Sequence, residues 1–347
     1  MGKLFASLTS IFFTTLLTTV LAAQEPVIVR SYDLNAEFYP EKASIKGWAG
    51  VYFQNLPPSR RDVTFYLHGE LYVDSIKQED QNLSYDYSRI YYEFDYSAIA
   101  AKTTVTSVID PTQTLDVFYH GYLNPSRATA NSNYMRVDNS GVYLRSYGYS
   151  LWFPIFLEPR QQSYEVDFNN VSITVPAKFN SIFVGNKIDE FIDGDRRITK
   201  WQAGATDLFE VQCSARPWKI INEGNIYIYH MPDEKSESMA RKILKYARFL
   251  IDRYSSYYNS DVRVGQNYIM QMPEFGDISS GNVTGIADKS WLEFDQDIQS
   301  KRLLAHELVH PFVQVPILRD DPLYAMVIEG FPSYFDLPVL EQELEKE

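Results

Sequence analysis

The residue pattern with the clearest chemical meaning is His306-Glu307-Leu308-Val309-His310. On an α-helix, side chains four residues apart lie on the same face, so the two histidines can reach one metal ion. Neutral imidazoles are ligands that zinc prefers, and a neighbouring carboxylate can take a proton from an activated water. The spacing therefore predicts a zinc site with His306 and His310 as ligands and Glu307 as general base.

A third ligand is available further along the chain. Glu329 lies nineteen positions after His310 and opens the aromatic-rich segment Glu329-Gly330-Phe331-Pro332-Ser333-Tyr334-Phe335, which is predicted to be helical. Zinc with three protein ligands keeps a fourth position for water, the arrangement of a catalytic site. We therefore expect one Zn²⁺ per chain, bound by His306 and His310, with Glu329 as the candidate third ligand.

The alternative for this motif is an amphipathic surface helix whose histidines have no chemical role. The chain has five histidines, and the three outside the motif, His68, His120 and His230, lie in strand-like sequence. These three are interpreted as structural. The downstream Glu329 favours the metal site over the surface helix.

Residues 1–23 are typical of a secretory signal. Lys3 precedes an apolar, threonine-rich run that reaches Leu21, and the small residues Ala22 and Ala23 precede Gln24. The run is too short and too polar to span a bilayer, so no stable membrane insertion is expected after signal removal. The protein is predicted to be secreted or periplasmic.

Composition limits the partners and the means of stabilising the fold. The formal net charge of -13 and the pI near 4.9 oppose nucleic-acid binding, which requires clustered basic surface. Cys213 is the only cysteine, so no intrachain disulfide can form and the core must hold the fold. The expected partner is a peptide or protein substrate, and no pattern indicates an oligomeric state.

The elements that must position the motif fall into two regions, because the sequence pattern changes near residue 217. Residues 24–217 contain short Tyr-, Phe-, Val- and Ile-rich runs between turn signals, with alternation at 32–38 and 171–175. They are predicted to form an antiparallel β domain. Residues 218–347 are predicted to contain strands at 226–230 and 268–272, a helix opening near Asp233 and a loop at 275–285. In the motif helix, Asp297 is a candidate N-cap and Pro311 a candidate end.

These motifs resemble those of the gluzincin aminopeptidases, the family that includes alanyl aminopeptidase and leukotriene hydrolase. The match is most specific at 306–310 and 329–331, and it implies that Glu329 is the third zinc ligand. Trp152-Phe153-Pro154 with Glu158-Pro159 resembles a stretch of the family's N-terminal domain, and Pro273-Glu274-Phe275-Gly276 resembles the entry to its exopeptidase loop. The resemblance implies an α+β fold: an N-terminal antiparallel, saddle-like β domain, then a thermolysin-like zinc domain that is apparently incomplete at its C-terminus.

Two departures from the family pattern concern the substrate's amino terminus. The family binds that amine through a glutamate of the exopeptidase loop, and a gap-free count from Gly285 places Asn282 at this position. A second amine-binding group falls on Tyr143 and Arg145 when counted back from Pro154. Because an arginine repels an ammonium group, these substitutions predict a site without the usual free-amine anchor.

A third departure is length. The resemblance implies a tyrosine beyond the third ligand that stabilises the oxyanion, followed by a helical half-domain, whereas this sequence stops at Glu347. The chain is therefore expected to be either a fragment or a minimal version. Tyr324 and Tyr334 are both available as substitutes for the oxyanion donor.

The expected function is an exported zinc-dependent metallopeptidase that hydrolyses peptide bonds through a zinc-bound water with Glu307 as general base. Two alternatives stay open. An ordinary aminopeptidase could use Asp277 or Glu274 as a shifted amine-binding acid. A non-catalytic, zinc-stabilised peptide-binding or scaffold protein would fit the missing C-terminal half, although it would have no need of Glu307.

Overall fold

The chain is mostly β. The computed structural model describes residues 27–57, 60–93, 97–123, 135–145, 150–157, 164–208, 211–258, 265–272, 278–312 and 330–335. Within these ranges lie twenty β-strands and four α-helices. The predicted signal at 1–23, the stretch Glu158-Pro159, the acids Glu274 and Asp277, Tyr324 and Glu329 all lie outside them.

Fifteen strands precede residue 217 and form three sheets. They are β1 (Ile28–Tyr39), β2 (Ser44–Asn55), β3 (Val63–His68), β4 (Leu71–Gln78), β5 (Gln81–Asn82), β6 (Tyr85–Glu93), β7 (Ser97–Val105), β8 (Leu115–Tyr122), β9 (Met135–Asp138), β10 (Gly141–Arg145), β11 (Glu165–Pro176), β12 (Asn180–Phe183), β13 (Asn186–Asp193), β14 (Arg196–Asp207) and β15 (Gln212–Arg216). The eight-stranded sheet has the order β13-β14-β11-β1-β2-β8-β4-β5, the four-stranded sheet β12-β15-β10-β9, and the three-stranded sheet β3-β7-β6.

The predicted strands at 32–38 and 171–175 are confirmed, but the prediction of a purely antiparallel region is wrong at one place. These two segments belong to β1 and β11, which pair in parallel, with Leu34 opposite Val171. Alternation of apolar and polar residues is the same for both pairing directions, so the sequence pattern could not distinguish them.

An aromatic cluster joins these sheets into one core. Trp152 and Phe153 are fully buried and make edge-to-face contacts with each other, with ring centroids 4.9 Å apart. Tyr32, Phe168 and Phe183 pack around them. Burial of rings of this size supplies much of the driving force for folding. Trp152 and Phe153 are therefore residues of the core.

The rest of the chain builds a five-stranded sheet covered by helices. Its strands are β16 (Lys219–Glu223), β17 (Ile226–His230), β18 (Asn267–Met272), β19 (Ile278–Ser280) and β20 (Val283–Ala287), in the order β16-β17-β18-β20-β19. Its helices are α1 (Glu234–Tyr258), α2 (Asp288–Leu292), α3 (Ile298–Val309) and α4 (Phe331–Phe335). The predicted strands at 226–230 and 268–272 are confirmed, whereas the predicted loop at 275–285 contains β19 and the start of β20.

Helix α1 buries an apolar stripe against the five-stranded sheet. Ile243, Ala247, Leu250 and Ile251 are at most 1% exposed and form one core cluster with Ile228 and Ile269 of the sheet. The helix begins next to Asp233, as predicted, and Asp233 accepts a hydrogen bond from the Ser236 N–H that caps the first turn. Among the helices of the described ranges, none has the length and apolar character needed to cross a membrane.

Candidate active site

Helix α3 carries the histidine motif, and both of its ends are set by the residues that the sequence indicated. The Asp297 side chain accepts a hydrogen bond from the Gln299 N–H at 3.0 Å and one from the Ser300 hydroxyl at 3.0 Å. The helix ends at Val309, and a 3-10 turn follows at His310–Phe312. A proline at position 311 cannot donate the backbone hydrogen bond that another helical turn would need.

The burial of α3 fixes the direction of its histidines. Leu304, Ala305, Leu308 and Val309 pack into the core shared with α1, and Tyr254 of α1 donates a hydrogen bond to the Ala305 carbonyl. His306 and His310 are only half-buried, while Glu307 is 8% exposed. The imidazoles therefore face the open side of the helix.

The two imidazoles converge with the carboxylate of Glu307. The Nε2 atoms of His306 and His310 are 3.3 Å apart, and the rings are nearly perpendicular at 84°. Ligand atoms of both histidines and of Glu307 lie within 4.8 Å of one another. Two nitrogens bound at about 2.0–2.1 Å to a tetrahedral zinc lie roughly 3.3 Å apart, so the histidine pair fits that metal.

Helix α4 approaches the same imidazoles. The Ser333 hydroxyl lies 3.5 Å from Nδ1 of His306, the ring nitrogen that is turned away from His310. A partner on the second ring nitrogen fixes the orientation of a ligating imidazole. Ser333 is a site residue that sequence reasoning missed, since only its place in the segment after Glu329 could have indicated it.

In the part of the chain that the structure describes, the five-stranded sheet ends beside the histidine helix. Strand β19 is the terminal strand of the five-stranded sheet, and α3 packs against β19 and β20. Within the described residues no strand pairs with the outer side of β19. Such an edge can accept an extended peptide as an additional strand.

Arg145 and Tyr143 lie on β10 of the four-stranded sheet, near this edge. Nη2 of the half-buried Arg145 is 3.5 Å from the Ser279 carbonyl oxygen of β19. Tyr143 is 3% exposed and lies opposite Ser214 of β15 and Arg136 of β9. The structure thus brings Arg145 to the edge strand and places Tyr143 two residues further from it along β10.

Asn282, which the gap-free count places at the family's amine-binding position, lies in the turn between β19 and β20. It follows the turn residue Gly281, whose φ is +54°, and its amide is bonded to the backbone of Gly185, between β12 and β13, and of Gln266, before β18. Asn282 Oδ1 accepts from the Gly185 N–H at 2.8 Å, and Nδ2 donates to the carbonyls of Gly185 and Gln266.

The remaining histidines and the cysteine lie in other environments. His68 is buried, and its Nδ1 accepts from the Glu70 N–H at 3.3 Å; burial lowers its pKa to about 4. His120 pairs with Asp74 at 2.6 Å, and His230 contacts the Met231 carbonyl. Cys213 is fully buried, which raises the pKa of its thiol, as expected for an inert cysteine. These contacts support the structural interpretation of the three histidines.

Comparisons with known proteins bear on the fold. No protein-family model matches the sequence, and no curated protein matches it significantly. Among solved structures, the chain is similar to a variant of the M1 zinc metallopeptidase from Deinococcus radiodurans, with a TM-score of 0.63 at 15% sequence identity. The similarity covers 93% of this chain and 72% of that one. The chain therefore shares the fold of an M1 zinc metallopeptidase.

Proposed function

We propose that the protein is an exported zinc-dependent peptidase that cleaves peptide bonds without a free-amine anchor. The observation that carries the proposal is the convergence of two imidazole nitrogens and a carboxylate beside β19, the terminal strand of the described five-stranded sheet. Helix α3 with the predicted ligand Glu329 would hold the metal. The two regions that meet near residue 217 would be the saddle-like and thermolysin-like domains of the gluzincin aminopeptidases.

The residues of α3 and the segment after it have distinct roles in this proposal. His306, His310 and Glu329 would bind zinc; Glu329 lies four positions before Ser333, the residue that contacts His306. The metal would polarise the scissile carbonyl and lower the pKa of the attacking water. Glu307 accepts the proton of that water and delivers it to the nitrogen of the departing amine. Because Glu307 is 8% exposed, this transfer takes place away from bulk solvent.

The substrate is proposed to lie along β19. Backbone N–H and C=O groups of an extended peptide can pair with an exposed strand edge, which holds the peptide without regard to its side chains. Since α3 packs beside β19, a peptide on this edge would pass in front of the imidazoles. This arrangement would orient a carbonyl of the peptide toward Glu307.

The charge next to the edge opposes an ordinary aminopeptidase. An aminopeptidase needs an anionic partner for the substrate ammonium, because an uncompensated charge in a partly buried cleft is costly. Here the guanidinium of Arg145 lies at 3.5 Å from the β19 backbone, and Asn282 is engaged at the sheet interface. We therefore propose blocked peptides or internal bonds as substrates.

Two comparisons test this function. Glu307→Gln should bind zinc like the wild type and lose at least about 100-fold in hydrolysis, since its base is removed. Glu293→Gln, at an exposed position, is the matched control and should keep full activity. Turnover by Glu307→Gln at the wild-type rate would contradict the assigned base.

The second comparison uses free and N-acetylated versions of the same peptides. Acetylated peptides should be cleaved at least as fast as free ones. A strong preference for free amines would instead support an ordinary aminopeptidase that binds the substrate amine through Asp277 or Glu274. A protein that binds zinc but cleaves no member of a broad peptide library would instead be a scaffold.

A further inference from the structure

The two imidazoles of the site lie on either side of a helix end. His306 belongs to the last turn of α3, whereas His310 opens the 3-10 turn that follows. Pro311 has no N–H, so the helical hydrogen bond that would reach back to the carbonyl of Glu307 is missing. Helix ends also fray more readily than helix centres. The separation of 3.3 Å between the Nε2 atoms therefore depends on how this helix end is held.

Tyr254 of α1 contacts this helix end at two points. Its hydroxyl donates a hydrogen bond of 3.0 Å to the carbonyl of Ala305, the residue before His306. Its ring makes an edge-to-face contact with Phe312, two residues after His310, with ring centroids 5.6 Å apart. One side chain thus contacts the chain immediately before the first histidine and shortly after the second.

The surroundings of Tyr254 restrict its movement. The side chain is 2% exposed and belongs to the core cluster that α1 and α3 share. Close packing leaves a buried ring few alternative positions, and a hydrogen bond is electrostatically stronger there than in water. In a regular α-helix the carbonyl of Ala305 already accepts the N–H four residues further on. The hydroxyl is therefore not required to satisfy this carbonyl, and its bond instead joins α1 to the start of the motif.

We propose that Tyr254 is a positioning residue of the metal site, which holds the helix end so that both imidazoles face one ion. The inference rests on the proposed function, since it takes that ion to be zinc. Tyr254 acts through the backbone: its hydroxyl fixes the residue before His306, and its ring fixes the turn that begins at His310. Loss of either contact should let the two rings move relative to each other, so that an ion bound by both is held less tightly.

Tyr254→Phe tests the proposal, because it removes the hydroxyl and keeps the ring that contacts Phe312. Zinc affinity is measured by competition with a chromophoric chelator. The variant should bind zinc about three- to tenfold more weakly than the wild type, less than the roughly 10- to 100-fold typical of losing a direct partner of a ligating imidazole. The absorption spectrum of cobalt bound in place of zinc should also change, because it reports the geometry of the ligands. Equal zinc affinities and superimposable cobalt spectra would overturn the proposal.

Tyr246→Phe is the matched control. Tyr246 lies on the same helix and in the same core cluster, but its ring contacts Phe249 and Phe294. This variant should keep the zinc affinity and the cobalt spectrum of the wild type. Unfolding of the metal-free proteins measures any loss of stability separately from the metal site. Zinc binding weakened equally in both variants would show a general effect of the core and overturn the assignment to Tyr254.

Phe312→Leu tests the second contact of Tyr254. It removes the aromatic edge contact and should weaken zinc binding in the same direction as Tyr254→Phe. The losses in the double variant should be less than additive, because both changes act on the same turn. If Tyr254→Phe does not fold, Phe312→Leu carries the test, and an unchanged zinc affinity in that variant overturns the proposal.

The two proposals fail in different ways. Wild-type zinc affinity and cobalt spectrum in Tyr254→Phe would overturn the positioning role and leave the peptidase in place. Weakened zinc binding in this variant, together with a wild type that binds zinc but cleaves no peptide, would overturn the peptidase and support the positioning role.

Discussion

His306 and His310 show how much chemistry a short spacing can define. Their types and the helical repeat predict that both nitrogens face one point, and the Nε2 separation of 3.3 Å matches that prediction. The contact from Ser333 depends on how α4 packs against α3, which no local pattern encodes. At the scale of single residues, local geometry is therefore predictable and the partners from distant segments are not.

The buried His68, which lies outside the site, predicts how the stability of the fold depends on pH. Burial lowers the pKa of His68 from 6.5 to about 4, so the folded protein keeps this ring neutral at pH values where the unfolded chain protonates it. Its contribution to stability is present in full above pH 6.5 and is lost as the pH falls toward 4. By linkage, the loss between pH 7.5 and 5 amounts to about 2 kcal/mol.

His68→Asn should remove that part of the pH dependence, because its side-chain oxygen can still accept from the Glu70 N–H without titrating. Urea unfolding of wild type and variant at pH 7.5 and 5 measures it. The wild type should lose about 2 kcal/mol more than the variant between the two pH values. An identical loss in both proteins would show that another group is responsible.

At the scale of elements, the β19–β20 hairpin connects the proposed peptide edge to the β region. Asn282 binds both backbone groups of Gly185, and the Lys187 N–H donates to Gln266 and to the Tyr268 hydroxyl. These bonds hold the start of β20 and of β18 against the corner between β12 and β13. Asn282 thus positions the edge strand β19 indirectly. It fixes the start of β20, and β19 pairs with β20.

Asn282→Ala should destabilise the protein by about 1–3 kcal/mol, because it leaves the N–H and C=O of Gly185 without their partner. A displaced edge strand should also raise KM for peptides more than it lowers kcat. Asn222→Ala is the control, since Asn222 is exposed on β16 and its loss should change stability by less than about 0.5 kcal/mol. Unfolding curves that coincide for Asn282→Ala and wild type would contradict the role of this contact.

The elements also show where prediction from the sequence ends. Strands with clear alternation, the Asp297 cap and the end of α3 before Pro311 were predicted because each depends on a few neighbouring residues. The strand β19 was missed because its three residues, Ile278–Ser280, carry no periodic signal. Its existence depends on pairing with β20, and the placement of Asn282 depends in turn on that pairing. The parallel direction of β1 and β11 was missed for the same reason, since it is a property of the chain path.

At the scale of the whole molecule, the proposed metal would connect two helices that are distant in the sequence, α3 and α4. Its histidine ligands lie on α3, and α4, which follows the predicted ligand Glu329, meets α3 through the contact between Ser333 and His306. A ligand that binds only the folded state stabilises it by RT ln(1 + [L]/Kd), about 2.7 kcal/mol at a hundredfold excess over Kd. Removal of zinc should therefore lower Tm as well as abolish activity.

Glu329→Ala separates a three-ligand site from a site with histidines alone. Loss of one charged ligand should weaken zinc binding strongly, so the difference in Tm between zinc-loaded and chelated protein should shrink toward zero in the variant, while His306→Ala should abolish it. Metal analysis and thermal unfolding with and without chelator provide both readouts, and Glu293→Ala, at an exposed position, serves as the control. Because both readouts are independent of turnover, they test the ligand set even if the substrate is not yet known. Full zinc occupancy and an unchanged Tm difference in Glu329→Ala would show that the third ligand comes from another residue.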